Sequence, residues 1–372
     1  MKYNKVVIML GTLFVSSLLT GCNHEEKEII YLESVKPIER ANLENEDKEC
    51  SINSNYYFNQ LTSEKDKEMY QKIYESLINR EESFELKTND TKKIKIWFKC
   101  VIYDNPEIFY VNNYSYMKHE DSITVIPIYV MTEEEQIQAE KEIEAYKEKV
   151  FSLFTEDMKD YDREKVIYDF IAENTIYTEN SDYNQTIYSV VKGKSVCLGY
   201  SRMFQYLCEK AGIHCTIVTG SNSEGIGHAW NSVCIDGNWY MIDCTNSKGQ
   251  LGDPDEKISY YYFNITKEQL LRSYAIDNLV KSPDCNSIES EYFKIQGLYF
   301  ESADIERYKG LIEQARSKEE NSLTIRCSNP EVYKELVQKL IEEKGILNMF
   351  DLNTSISKIA DSRLLIIKVD WR

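Results

Sequence analysis

A chain of 372 residues with 62 acidic against 44 basic side chains carries a formal charge of −18, and 42% of it is hydrophobic. Such a length supports two or three domains around a sizeable core. The acidity excludes a nucleic-acid partner and an electrostatic membrane patch, and it favours cationic or neutral substrates.

Lys2 and Lys5 open the chain with positive charge, and Val6–Leu19 is an apolar run too short for a comfortable membrane span. It ends in Leu19-Thr20-Gly21-Cys22, which looks like a bacterial lipoprotein signal. That resemblance implies removal of residues 1–21, lipid such as palmitate on Cys22, and anchoring on the extracytoplasmic face of the cell membrane. Cleavage leaves 351 residues and a charge of −20, so lipid rather than charge is expected to hold the chain to the membrane. An ordinary cleaved signal or a terminal membrane helix is the alternative. Residues 22–50, rich in Glu, Lys and Asn, read as the lipidated cysteine and a solvated tether, with a short edge strand at Ile29-Ile30-Tyr31 as the other reading.

From Asn55 the composition becomes globular. Ser63-Glu64-Lys65-Asp66 can cap a helix whose apolar face is Tyr70, Ile73, Tyr74 and Leu77. A second helix through Ile94, Trp97, Phe98, Val101 and Ile102 must end at Asp104-Asn105-Pro106, because proline disfavours helical backbone in the residue before it. Ile108–Tyr116 and Ser122–Val130 have the β-branched and aromatic content of paired strands. Thr132-Glu133-Glu134-Glu135 is a capping box that starts a long charged helix toward Phe154. We assign this 51–155 domain a packing or substrate-positioning role and no chemistry.

A helix over about 162–174 leads through Tyr183–Val191 into Gly193-Lys194-Ser195-Val196-Cys197-Leu198-Gly199-Tyr200. Met203, Phe204, Leu207, Cys208 and Ala211 then recur at helical spacing, and Gly212 stands where a helix stops. A cysteine attacks only as thiolate, and a free thiol near pKa 8.5 is mostly protonated at neutral pH. Cys197 at a helix N-terminus would face unpaired N–H groups and the positive end of the helix dipole. Further on, Gly227-His228-Ala229-Trp230-Asn231 precedes Ile235-Asp236-Gly237-Asn238-Trp239-Tyr240 and Ile242-Asp243-Cys244-Thr245. Asp236-Gly237 between apolar runs signals a two-residue hairpin. That turn sets Ile235 opposite Asn238 and Trp230 opposite Asp243, so His228 is a diagonal neighbour of Asp243 on one face, within side-chain reach. Cys197 as nucleophile, His228 as acid/base and Asp243 as orienting carboxylate form a candidate triad. The Cys197 N–H is one expected oxyanion donor, with Gln185 or Tyr188 as the second.

These three motifs, in this order across about 161–246, resemble the transglutaminase-like superfamily of papain-like thiol enzymes. The resemblance implies an α+β, transglutaminase-like (papain-like) central domain with an antiparallel sheet over 156–265, flanked by smaller α/β regions. It also implies acyl transfer or hydrolysis on peptide or carboxamide substrates through a cysteine thioester. Cys244 stands where many members have proline or valine, and Asn246-Ser247 replaces a common Trp-Asp, which touches substrate preference more than the triad. Tyr56-Tyr57-Phe58 and the stretch from Asp104 to Tyr110 resemble longer secreted members more weakly.

Beyond the triad, Tyr260–Ile265 reads as a strand and Thr266–Arg272 as the start of a short helix. Tyr292–Phe300, a helix around 303–317, Ser322–Cys327, a helix around 330–343 and a strand at Leu364–Val369 suggest a small α/β domain over 266–372. Of ten cysteines, nine remain once Cys22 is lipidated, and an odd number leaves one thiol unpaired, with Cys197 the natural candidate. Disulfides among the other eight suit an oxidising compartment, though spacing does not choose partners. No metal is expected, since the cysteines lack the pairing of structural zinc sites and adjacent His214-Cys215 would point to opposite faces of a strand. No cofactor is expected either. The partners expected are a peptide or protein substrate, with cell-wall peptides as candidates by location, and the membrane through lipid. A non-catalytic surface binding module on the same fold is the alternative function.

Overall fold

The computed structural model describes residues 27–31, 55–180, 183–248, 258–277, 279–343, 345–349 and 356–371. The expected signal, Cys22 and most of the tether lie outside the described residues. Within the tether, β1 (Lys27–Tyr31) is a strand antiparallel to residues 113–117, so backbone pairing there takes the place of the solvated coil.

The N-terminal elements are α1 (Tyr56–Gln60), α2 (Glu64–Ile78), β2 (Phe84–Leu86), α3 (Thr91–Asp104), β3 (Val111–Lys118), β4 (Ile123–Tyr129) and α4 (Glu133–Phe151). Their local causes are those of the sequence. Ser63 accepts the Asp66 N–H at the head of α2, and Thr132 and Glu135 form the reciprocal capping box of α4. α3 ends at Asp104, whose buried carboxylate accepts the N–H groups of Tyr57 and Phe58 at 2.9 and 2.8 Å. The sheet runs β1-β3-β4-β2, all antiparallel.

The central elements are α5 (Asp160–Asn174), β5 (Ile176–Tyr177), α6 (Ile187–Val191), β6 (Lys194–Ser195), α7 (Cys197–Lys210), β7 (Cys215–Asn222), β8 (Gly227–Ile235) and β9 (Asn238–Ile242). The short helix α8 (Lys267–Leu270) and strand β10 (Tyr274–Ile276) follow. β10 joins this antiparallel sheet, order β10-β7-β8-β9, although it lies past residue 265, where the central domain was expected to end. Strand alternation divides the sheet between two cores. Ile217, Ala229 and Val233 belong to a cluster shared with α7 and the N-terminal helices, whereas Val218, Trp230 and Met241 belong to one shared with the C-terminal residues Leu364 and Ile366. Gly220 is required where β10 crosses: a Cβ there would lie 1.8 Å from the Ala275 carbonyl and 2.8 Å from the Trp230 ring. Lys99 of α3 locks the same crossing. Its Nζ lies 2.6 Å from Asp277 Oδ2 and 2.8 Å from Thr219 Oγ1, all buried.

The C-terminal part comprises α9 (Tyr292–Ile295), β11 (Tyr299–Phe300), α10 (Ile305–Ser317), β12 (Ser322–Cys327), α11 (Pro330–Val337), β13 (Ile356–Asp361) and β14 (Ile366–Trp371), with sheet order β11-β12-β14-β13. Two expectations change here. Tyr260–Ile265 is a turn, with Asn264 at φ 55° and only Ile265 bridged to Met241, because Tyr261, Tyr262 and Phe263 bury into packed cores instead of alternating on a sheet. Tyr292–Phe300 splits into a helical turn, capped by Glu291, and a two-residue strand. Buried Arg326 of β12 pairs with buried Glu291 at 3.0 Å and also donates to the Tyr261 carbonyl, tying β12 to the Tyr260–Ile265 turn.

Candidate active site

Three elements deliver the three expected side chains. Cys197 is the first residue of α7, and Val196 before it offers no side-chain cap, so the first-turn N–H groups are not claimed by a capping side chain. The approach to Cys197 is fixed. Val196 N and Ser195 Oγ both donate to the Asn184 carbonyl at 3.0 Å, and Ser189 Oγ meets Ser195 Oγ at 2.7 Å. This explains the glycine two residues after the cysteine: a Cβ on Gly199 would sit 2.0 Å from Ser195 Oγ. Asn231 then ties the helix to the histidine strand, donating to the Ser201 carbonyl at 2.9 Å.

The hairpin has the expected register. Asp236 and Gly237 both take positive φ, 50° and 79°, as a type I′ turn demands, and Ile235 pairs with Asn238 and Asn231 with Ile242. His228 Nε2 lies 2.8 Å from Asp243 Oδ2, and Cys197 is near enough to help raise the imidazole pKa. With Nε2 committed to the carboxylate, Nδ1 is left for the thiol. Burial disfavours the charged imidazole, but Asp243, and then Cys197, raise its pKa to about 10. Asp243 is fully buried. Burial alone would raise its pKa, yet His228, Asn246 and Tyr274 together hold the carboxyl below its ordinary value. The geometry therefore keeps a proton on His228 at neutral pH, beside the sulfur.

Two residues not foreseen complete the carboxylate's shell. Oδ2 accepts from Tyr274 Oη at 2.9 Å and Asn246 Nδ2 at 2.6 Å, while Oδ1 accepts the Thr245 N–H at 3.0 Å. Tyr274 sits on β10, distant in sequence, and no local pattern points to it. A cleft of about 310 Å³ opens here, lined by Tyr177, Asn222, His228, Thr245, Asn246, Lys248 and Tyr274. Its surroundings expose Ile176, Tyr177 and Ile226. Of the expected oxyanion side chains, Tyr188 is turned away, its hydroxyl donating to Glu142 of α4 at 3.2 Å. The Gln185 backbone carbonyl accepts from Arg202 at 3.1 Å.

Among the described residues no group of three or more His, Cys, Asp or Glu side chains is placed to hold a metal ion. Seven described cysteines are free, and only Cys197 among them is not buried. Cys234 is disulfide-bonded.

Residues 147–244 match the family model of the transglutaminase-like superfamily. This stretch is a transglutaminase-like domain. Kyphoscoliosis peptidase of Mus musculus is 32% identical over a region covering 18% of this chain and 12% of that protein, and its Homo sapiens counterpart gives the same shares. Lim and transglutaminase domain protein ltd-1 of Caenorhabditis elegans is 28% identical, covering 28% of this chain and 17% of its own. A TGase crystal structure is similar at a TM-score of 0.27 and 19% identity, covering 37% of this chain and 44% of that one. The chain thus spans about an eighth of the length of the peptidases it matches. The transglutaminase-like domain has the α+β build with an antiparallel sheet that the motifs imply. The family match holds Cys197, His228 and Asp243 but stops short of Asn246 and Tyr274.

Proposed function

We propose that this chain is a thiol acyl-transfer enzyme acting on peptide or protein carboxamides. The observation that carries the reading is the His228–Asp243 hydrogen bond of 2.8 Å beside a cysteine at the head of α7. The Cys197 thiolate attacks the carbonyl carbon, and helix N–H groups including that of Cys197 face the developing oxyanion. His228 gives its proton to the departing nitrogen as the C–N bond breaks, which leaves a thioester on Cys197. Water or an amine then attacks, His228 takes its proton, and Cys197 leaves as thiolate while the acid or the new amide departs, which restores the starting pair. Water gives peptidase or amidase activity, and an amine gives cross-linking. The apolar side chains exposed around the cleft, Ile176, Tyr177 and Ile226, suit a peptide chain, and cell-wall peptides are candidates.

A screen of carboxamide-bearing peptides with wild type and Cys197→Ala tests this reading. Wild type is expected to release ammonia or amine and to accumulate a Cys197 thioester, with Cys197→Ala silent. Equal behaviour of the two, together with tight peptide binding, would leave the non-catalytic binding module standing instead.

Anchoring is part of the same proposal and rests on Leu19-Thr20-Gly21-Cys22. Mass spectrometry of the mature N-terminus is expected to find acylated Cys22, and Cys22→Ala is expected to appear in the medium. An unmodified terminus at another residue overturns the anchor and leaves the chemistry untouched.

A further inference from the structure

We infer that Tyr274 of β10 is a positioning residue of the active site, fixing the Asp243 carboxylate through its hydroxyl so that the carboxylate stays charged and aimed at His228. This rests on the acyl-transfer reading and extends it beyond the family match, which ends at residue 244.

The phenol accepts from Asn246 Nδ2 at 2.5 Å and donates to the carboxylate that Asn246 also serves. Tyr274 Oη donates to Asp243 Oδ2 at 2.9 Å, the oxygen that also accepts the hydrogen bond of His228 Nε2. Burial, and then Asp243 itself, push the Tyr274 pKa far up, so the phenol remains a neutral donor throughout the working range. Its ring is held on both sides. It stacks on Trp230 with centroids 5.2 Å apart and on Tyr262 at the same distance, and it lies 5.1 Å from the His228 ring. The backbone is held too, since Tyr274 pairs with Asn222 and Ile276 with Gly220 of β7. The buried Lys99–Asp277 pair pins the chain just past β10, so helix α3 of the N-terminal region sets the strand that carries the phenol. A carboxylate removed from water needs its lone pairs filled, and a donor lost from a buried charge leaves that charge partly unsatisfied.

The consequence is acid tolerance. The titratable groups facing Asp243 are His228 on β8, Tyr274 on β10, Tyr262 in the turn before α8, Tyr168 on α5, Tyr177 on β5 and adjacent Cys244. The phenols and the Cys244 thiol are all shifted upward and stay neutral in acid, and His228 is already protonated, so the proton taken up as pH falls goes to Asp243. Losing a hydrogen bond to the charged form makes that uptake easier.

Tyr274→Phe keeps the ring and deletes the hydroxyl, removing the donor to Asp243 and the acceptor of Asn246, whose amide still reaches Asp243 Oδ2. Iodoacetamide labelling of Cys197 in the intact chain, followed from acid to neutral pH, reads the effect without a known substrate. The acid flank of the labelling profile is expected to move to higher pH, cutting the rate there by about tenfold, the worth of one hydrogen bond to a charged group. The neutral plateau is expected to fall less than the acid flank, and the unfolding midpoint is expected to drop by the equivalent of that tenfold, about 1.4 kcal/mol, because the buried carboxylate has lost a donor. Tyr274→Leu, which also loses the stacking, is expected to lower the midpoint further. A Tyr274→Phe profile that superimposes on wild type overturns the positioning role, as does a uniform loss at every pH tracking lowered stability. A wild-type Cys197 that labels slowly and ignores His228→Ala overturns the acyl-transfer reading itself, and this proposal with it.

Discussion

His228→Ala is expected to slow alkylation of Cys197 at pH 6 by about a hundredfold. An ordinary thiol near pKa 8.5 is only about 0.3% ionised at pH 6, and a cation held beside a sulfur favours the anion that alkylation needs. In the folded chain His228 is raised to about 10, which leaves it protonated beside Cys197 throughout the range where the experiment is run. Removing it takes away the cation but leaves the head of α7, so a smaller helix contribution of the kind a dipole gives should survive. Cys208, Cys215 and Cys244 serve as internal controls. All three are buried with pKa values pushed up by that burial, so each should label slowly in both proteins. If Cys197 labels no faster than they do, and the alanine variant changes nothing, the residue is a packed thiol and the chain is a binding module.

The His228–Asp243 pairing was readable from sequence because it is set locally, whereas Cys197, 31 residues before His228, was joined to it by the resemblance of the three motifs. A two-residue turn fixes the register of β8 and β9, and with it the side of the sheet on which His228 and Asp243 meet. The helix after Cys197 follows from apolar spacing and the stop at Gly212, whose φ of 79° is the left-handed backbone such a stop uses. The features missed are nonlocal. Tyr274 joins Asp243 across 31 residues and Lys99 meets Asp277 across 178, and neither pairing leaves a periodic trace. The Tyr260–Ile265 run failed for another reason. Consecutive aromatic residues favour a strand, but here they are consumed by packing in two separate cores, and the left-handed Asn264 breaks the extension. Strand β13 was also missed. Its sequence, Ile356-Ser-Lys-Ile-Ala-Asp361, spaces its isoleucines three apart rather than alternating, and it is held by pairing with β14.

Asp243→Asn should produce the other large effect, and it should show in both turnover and stability. Turnover is expected to fall on the order of 10³–10⁴-fold, because an amide neither fixes the imidazole tautomer nor balances its charge. For stability the two partners have opposite signs. His228 has its pKa raised from 6.5 to about 10, so its contribution is complete below about 6.5 and is lost as pH rises toward 10. Asp243 has its pKa lowered from 3.8, so its contribution is present above that value and is lost as pH falls through the folded one. The pair therefore supports the fold most between roughly pH 4 and 6.5 and fades on the alkaline side. In the Asn variant the same buried imidazole has lost its counter-charge, and burial now favours its neutral form, so its own contribution should rise with pH. Urea unfolding of both proteins at pH 6 and pH 10 checks this. The stability difference between wild type and variant is expected to be large at pH 6 and to shrink markedly by pH 10. A difference that stays constant across that interval would mean that His228 and Asp243 do not share a charge in the folded state. The proton that His228 must deliver to the leaving nitrogen would then have no resident source.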